Sequence, residues 1–199
     1  MKLQSLLSFG LILGFSSPLI AQAHPGEDSR AHAAELALHR IERLVILKKV
    51  DEGFETKFSS LNLADAPAGS TPGAKYLAIA RQVLGGDGTT SALNIYMDET
   101  GKSLSFDVQN GATSVNFPTW PDKDAVTLAE SAMHYIEGAA TQPEIDPYND
   151  GFTSMKLTQG KNSSGAVVAI ADVTSATTAR VLRILIKTDG TFDSASVLP

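Results

Sequence analysis

Apolar residues in this chain follow two periods, and the same series of periods runs twice. Ala34, Ala37, Leu38, Ile41, Leu44 and Val45 fall three and four apart, one stripe of an amphipathic helix at about residues 29–50. Ser29 or Asp28 is placed to cap it. Short runs with strand character follow at about residues 54–63, 75–83, 92–97 and 103–108. A second helical stripe, Ala129, Ala132, Met133, Ile136, Ala139 and Ala140, places a helix at about residues 122–141, starting near Asp122 or Asp124 and ended by Pro143. Strands are then expected at about residues 152–157, 166–173, 180–187 and 191–197. Leu93/Ile95/Met97 and Leu182/Ile184/Ile186 alternate with polar neighbours, as in a sheet with one covered face.

The two series match residue by residue. Ala37-Leu38-His39-Arg40-Ile41-Glu42 returns as Ala132-Met133-His134-Tyr135-Ile136-Glu137, and Phe58-Ser59-Ser60-Leu61-Asn62-Leu63 returns as Phe152-Thr153-Ser154-Met155-Lys156-Leu157. The conserved order indicates a tandem duplication. The offset falls from 95 at His39/His134 to 94 at Phe58/Phe152, 91 at Ile79/Ile170 and 89 at Gly101/Gly190. The losses fall between the strands, where loops absorb deletions cheaply. The expected fold is therefore α+β: two tandem repeats of a helix followed by an antiparallel four-stranded meander, packed as one pseudo-symmetric unit. Residues 1–23 precede the repeats, 24–109 form the first, 110–121 a joint, and 122–199 the second. The joint carries Phe117 and Trp120, the single tryptophan. These two are expected to plug the seam between the copies or to stack on a ligand there.

The first residues read as a secretory signal. Lys2 is followed by an apolar stretch from Leu6 to Ile20 and by Ala21-Gln22-Ala23, a small-residue cleavage site. Cleavage after Ala23 would make His24 the mature terminus, in a protein exported to a periplasm or to the outside. No second run reaches spanning length. Removing the leader takes away only Lys2, which leaves fifteen basic and twenty-two acidic side chains. A modestly acidic chain without a basic stripe argues against nucleic acid as a partner. The absence of cysteine excludes disulfides and thiol chemistry.

The passage from Ala33 to Phe58, with Leu44-Val45 and Lys49-Val50-Asp51, resembles a family of small, exported, uncharacterised bacterial proteins. Their alanine-rich helix ends in a Leu-Val…Lys-Ile-Asp pattern and is followed by three or four strands. The helix-plus-meander plan is similar to PepSY-type domains of protease propeptides and periplasmic sensors. This chain departs from the family in its mature start, which has only His24 and Gly26 where a His-Gly run stands, and in being duplicated. No functional residue is carried over.

The candidate chemistry is Glu35-x-x-x-His39-x-x-Glu42 and its copy Glu130-x-x-x-His134-x-x-Glu137. His39 lies roughly 160° around the helix from Ile41, at about 100° per residue, and Glu35 and Glu42 share its side. This face should turn away from the sheet. One reading is a solvated polar face that duplication copied. The other brings both faces together, so that two histidines and up to four carboxylates suit a divalent metal. His24, with its freed amine, is a further metal candidate. Gly85-Gly86-Asp87-Gly88 lacks the lysine and the following helix of a phosphate loop and is read as a hairpin loop. Asp146-Pro147-Tyr148-Asn149-Asp150-Gly151 lacks the ligand spacing of a calcium loop and is read as a turn before a strand. No catalytic constellation is present, so an enzyme is not expected. The leading expectation is an exported binding module without a cofactor, for a protein, a peptide or a small apolar ligand. The alternative is a metal-binding or sequestering protein using His24 and the two Glu/His faces.

Overall fold

The computed structural model describes residues 29–83, 90–109 and 120–199. The elements run α1 (Arg30–Ile46), α2 (Gly53–Thr56), β1 (Phe58–Asp65), β2 (Tyr76–Val83), β3 (Thr90–Met97), β4 (Ser103–Gln109), then α3 (Ala125–Gly138), α4 (Asp146–Asp150), β5 (Phe152–Lys161), β6 (Val167–Ser175), β7 (Val181–Lys187) and β8 (Phe192–Leu198). The fold is mixed α+β, with four helices and eight antiparallel strands among the described residues.

Capping residues set where the long helices begin. The Ser29 hydroxyl accepts from the His32 N–H at 3.1 Å, and an Asp124 carboxylate oxygen accepts from the Thr127 N–H at 2.8 Å. α1 stops short of residue 50. Lys48 takes φ 53°, and the N–H groups of Lys48 and Lys49 turn back to the carbonyls of Val45 and Leu44, satisfying groups that another helical turn would have used. α3 ends at Gly138, so Pro143 is not what stops it.

Two one-turn helices, α2 and α4, stand where spacing alone indicates strand or turn. Residues 54–56 are helical rather than the start of β1, because the Asp51 carboxylate accepts from the Gly53 N–H at 2.8 Å and closes a turn there. Asp146–Asp150 is likewise a helical turn with a proline in its first positions.

The strands form one sheet in the order β4-β3-β2-β1-β5-β6-β7-β8. Each set of four is a meander, and the two sets join edge to edge through β1 and β5. The register there is reciprocal: Ser60 faces Lys156, Leu61 faces Met155, and Asn62 faces Ser154. Leu61 thus lies opposite the residue 94 positions later, its own sequence counterpart. Among the described residues, β4 and β8 are the edge strands.

One core lies between the sheet and the helices. It includes Leu38, Ile41, Phe54, Leu61, Ile95, Leu128, Met133, Tyr148, Phe152 and Ile184, all nearly inaccessible. Alanines 31, 33, 34 and 37 of α1 and 125, 129 and 132 of α3 are buried as well, and such small side chains let α1 and α3 pack closely against each other. Arg30 fastens this layer to the sheet junction. Its guanidinium donates to the carbonyls of Phe152 and Leu63, at 2.8 and 2.9 Å, and pairs with Asp65 at 2.9 Å.

Candidate metal centre between the two long helices

The polar stripe of α1 carries His32, Glu35, His39 and Glu42, which are three or four residues apart on one helix side. The stripe of α3 carries Glu130, His134 and Glu137. Helix packing turns these stripes toward each other. Glu35 and Glu130 are only 6% and 8% exposed, so the expected solvated face does not hold for them. His39 and His134 stay at the solvent margin.

Contacts cross from helix to helix. His134 Nε2 lies 2.6 Å from Glu35 Oε1, and His39 Nε2 lies 3.4 Å from Glu130 Oε1. His32 Nδ1 lies 3.2 Å from Glu137 Oε1 and 3.4 Å from Glu35 Oε2. Donor atoms of Glu35, His39 and His134 all fall within 4.8 Å of one another, and those of His32, Glu35 and Glu137 do the same. Four donors bound tetrahedrally at 2.0–2.1 Å sit about 3.4 Å apart, so these separations are near those of a coordination shell.

The electrostatics explain why the cleft would take a cation. Burial pushes the Glu130 carboxyl up to about 8, with Glu42, Asp124, Glu35 and Glu55 adding repulsion. Its Oε1 is buried and has no hydrogen-bond partner. Burial and the neighbouring Glu35 likewise push Glu137 up to about 7, although His32 opposes this. Burial also acts against the ionised form of Glu35, but a hydrogen bond with Glu137 and the facing His134 and His39 hold it below the usual range. Glu42 is raised by burial and Asp124, less the pull of His39. The result is a buried carboxylate cluster with more acid than its three imidazoles balance.

Of the residues selected from sequence, Glu35, His39 and His134 converge, Glu130 adjoins them through His39, and Glu137 joins the second group. Glu42 enters neither donor group. His32 was missed. Its signal was available, since it lies three residues before Glu35 and seven before His39, on their face of the helix. An open groove lined by Leu36, Arg40, Arg43 and Lys102 reaches His39 from outside. His24 and Phe117 lie outside the described residues, as do Gly85, Gly86, Asp87 and Gly88. Trp120 is half-buried at the β1–β5 junction, where it lines a cavity of about 210 Å³ with Phe58, Val83 and Leu157.

No family model and no curated protein matches the chain. A similar solved structure is that of a "putative lipoprotein" from Clostridium difficile 630, at 11% identity and a TM-score of 0.31, covering 78% of this chain and 90% of that one. A likeness that loose carries no argument about function, and the PepSY-type resemblance rests on apolar spacing alone. Among the described residues, no helix is long and apolar enough to cross a membrane.

Proposed function

We propose that this is an exported protein that binds a divalent transition-metal ion in the cleft between α1 and α3. The observation that carries the reading is the convergence of Glu35, His39 and His134, from two helices, with donor atoms within 4.8 Å. Glu130 stands beside this donor set rather than in it. Its unpartnered oxygen lies beside His39, and a cation would offset the repulsion that keeps this carboxyl protonated. Two imidazoles and a carboxylate suit zinc, manganese or iron(II) better than copper(I), which prefers sulfur donors. Export follows from the leader at residues 1–23.

The tandem duplication explains how the site arose. In this reading the copies meet about an approximate two-fold axis that passes between Leu61 and Met155 and through the α1–α3 cleft. A polar face used once on a single copy becomes, by that symmetry, a pocket with donors on opposite walls. The Glu35–His134 and His39–Glu130 contacts are the same pair seen from the two sides.

Equilibrium dialysis of the processed protein against zinc tests this. Submicromolar binding that His134→Ala and His39→Ala each weaken at least about tenfold is the expected result. Binding no tighter than millimolar, or unchanged in both variants, would remove the proposal.

The cavity beside Trp120 favours a second reading, a small apolar ligand held at the junction of the halves. Because Trp120 is the single tryptophan, its fluorescence reports on that site directly. Saturable quenching or a blue shift with short-chain aliphatic or aromatic probes is expected. A linear response up to millimolar probe would count against it.

A further inference from the structure

Among the described residues, two donor groups occupy the cleft, and Glu35 belongs to both. Its two carboxylate oxygens serve different histidines. Oε1 faces His134, at 2.6 Å, and Oε2 faces His32, at 3.4 Å. His32 Nδ1 also reaches Glu137 Oε1, at 3.2 Å. Donors to a single ion can be no further apart than about 4.2 Å, twice the bond length of 2.1 Å, so groups that do not merge within 4.8 Å need separate ions.

We propose that the cleft holds two divalent transition-metal ions bridged by the Glu35 carboxylate: one on Glu35, His39 and His134, the other on Glu35, His32 and Glu137. The second position rests on the metal-binding reading above and extends it. A bridging carboxylate keeps two ions close, in the manner of helix-borne dinuclear centres. The second ion has three protein donors, which leaves coordination positions for water or an oxygen-donor ligand.

The two halves differ at this point. The residue of α3 that corresponds to His32 is Thr127, whose hydroxyl donates to its own cap, Asp124, at 2.8 Å. Glu42 and Glu130 therefore lack the imidazole that Glu137 and Glu35 share. Symmetry alone would suggest three positions, with one shared and one on either side. The chemistry allows only two.

Zinc stoichiometry of the processed protein decides this, measured by dialysis and atomic absorption in a His24→Ala background so that the terminal histidine does not contribute. The expected result is two zinc ions per chain, falling to one in His32→Ala and in Glu137→Gln, with the remaining ion still bound at its original affinity. Glu137→Gln preserves shape and hydrogen-bonding capacity, so it remains informative if His32→Ala does not fold; thermal melts identify that case. With cobalt(II) as probe, the paramagnetic resonance signal of the singly loaded protein should lose intensity as the second equivalent enters beside it. One zinc ion in the parent would overturn the bridged pair and leave the single-ion reading standing. Two ions unaffected by either substitution would also overturn it, since the second would lie elsewhere. No zinc at all would end both readings.

Discussion

Glu35 and Glu130 occupy corresponding positions on α1 and α3, 95 residues apart, and are buried to nearly the same depth. Their electrostatics diverge. Burial works against the ionised form of Glu35, but a hydrogen bond with Glu137 and the facing His134 and His39 hold its carboxyl below the ordinary range. Glu130 has His39 at 3.4 Å from its Oε1, yet that oxygen has no hydrogen-bond partner; burial and four neighbouring carboxylates raise the group to about 8. Burial is the same, so what separates the two is the surroundings. Glu35 has Glu137 as a hydrogen-bond partner, whereas the Oε1 of Glu130 has none and faces four carboxylates. Corresponding positions on two packed helices thus hold carboxyls in different states, and the groups around each decide which one carries charge.

The largest effect that could break this comparison is on metal affinity. Glu35→Gln removes a charged donor from both groups and should weaken zinc binding by about 100-fold or more, whereas Glu130→Gln should cost about tenfold. Equal losses in dialysis would show that the two carboxylates are equivalent after all.

A second contrast lies in the metal-free protein. The raised folded value of Glu130 means that the native state binds a proton more tightly than the unfolded chain, whose carboxyl titrates near 4.5. That contribution to stability is fully present below about 4.5 and is lost as pH rises through about 8. Glu130→Gln should therefore flatten the decline between those limits and add on the order of 2 kcal/mol at the alkaline end. Glu35→Gln should give no such gain, since its folded value is lowered. Urea melts across the pH range, with chelator present, distinguish the two; parallel curves would defeat the comparison.

A smaller asymmetry concerns the helix starts. Arg30 ties α1 to the carbonyls of Leu63 and Phe152, and the corresponding residue of α3 is Ala125. Arg30→Met should destabilise the fold by about 1–2 kcal/mol by leaving two partly buried carbonyls short of donors. A denaturation midpoint equal to that of the parent would show the ties to be incidental.

The smallest effect would come from making the second helix resemble the first. Thr127→His should bring the Glu42 carboxyl down from its raised position, because it supplies the partner that His32 gives Glu137. The backbone cap on Asp124 is kept, so stability should change by less than about 1 kcal/mol. A carboxyl carbon titration by NMR reads this directly, and an unmoved Glu42 would show that the halves differ in geometry as well as in residue type.

Much of the architecture was written in the chain. Leu38, Ile41 and Leu44, or Leu182, Ile184 and Ile186, carry their period openly, because a helix or strand must bury one face and the spacing of that face is local. The capping residues Ser29 and Asp124 were legible for the same reason. The one-turn helices at Gly53–Thr56 and Asp146–Asp150 were not, since a single turn contains too few residues to show a period. His32 was legible and overlooked: residues 32, 35, 39 and 42 form one stripe.

By itself, the sequence determined the twofold series of elements, the residues that could ligate a metal, and the helix side on which they stand. Periodicity relates each side chain to its own helix axis and to nothing beyond it. Only the tertiary structure decided what lies opposite that side. Joining β1 to β5 at Leu61 and Met155 brings α1 beside α3, and that packing turns two polar stripes from solvent toward each other. Glu35 meets His134 across a distance in sequence that no local pattern encodes. The asymmetry between Glu35 and Glu130 depends in turn on a buried environment, and burial is a property of the assembled layers and of no single residue.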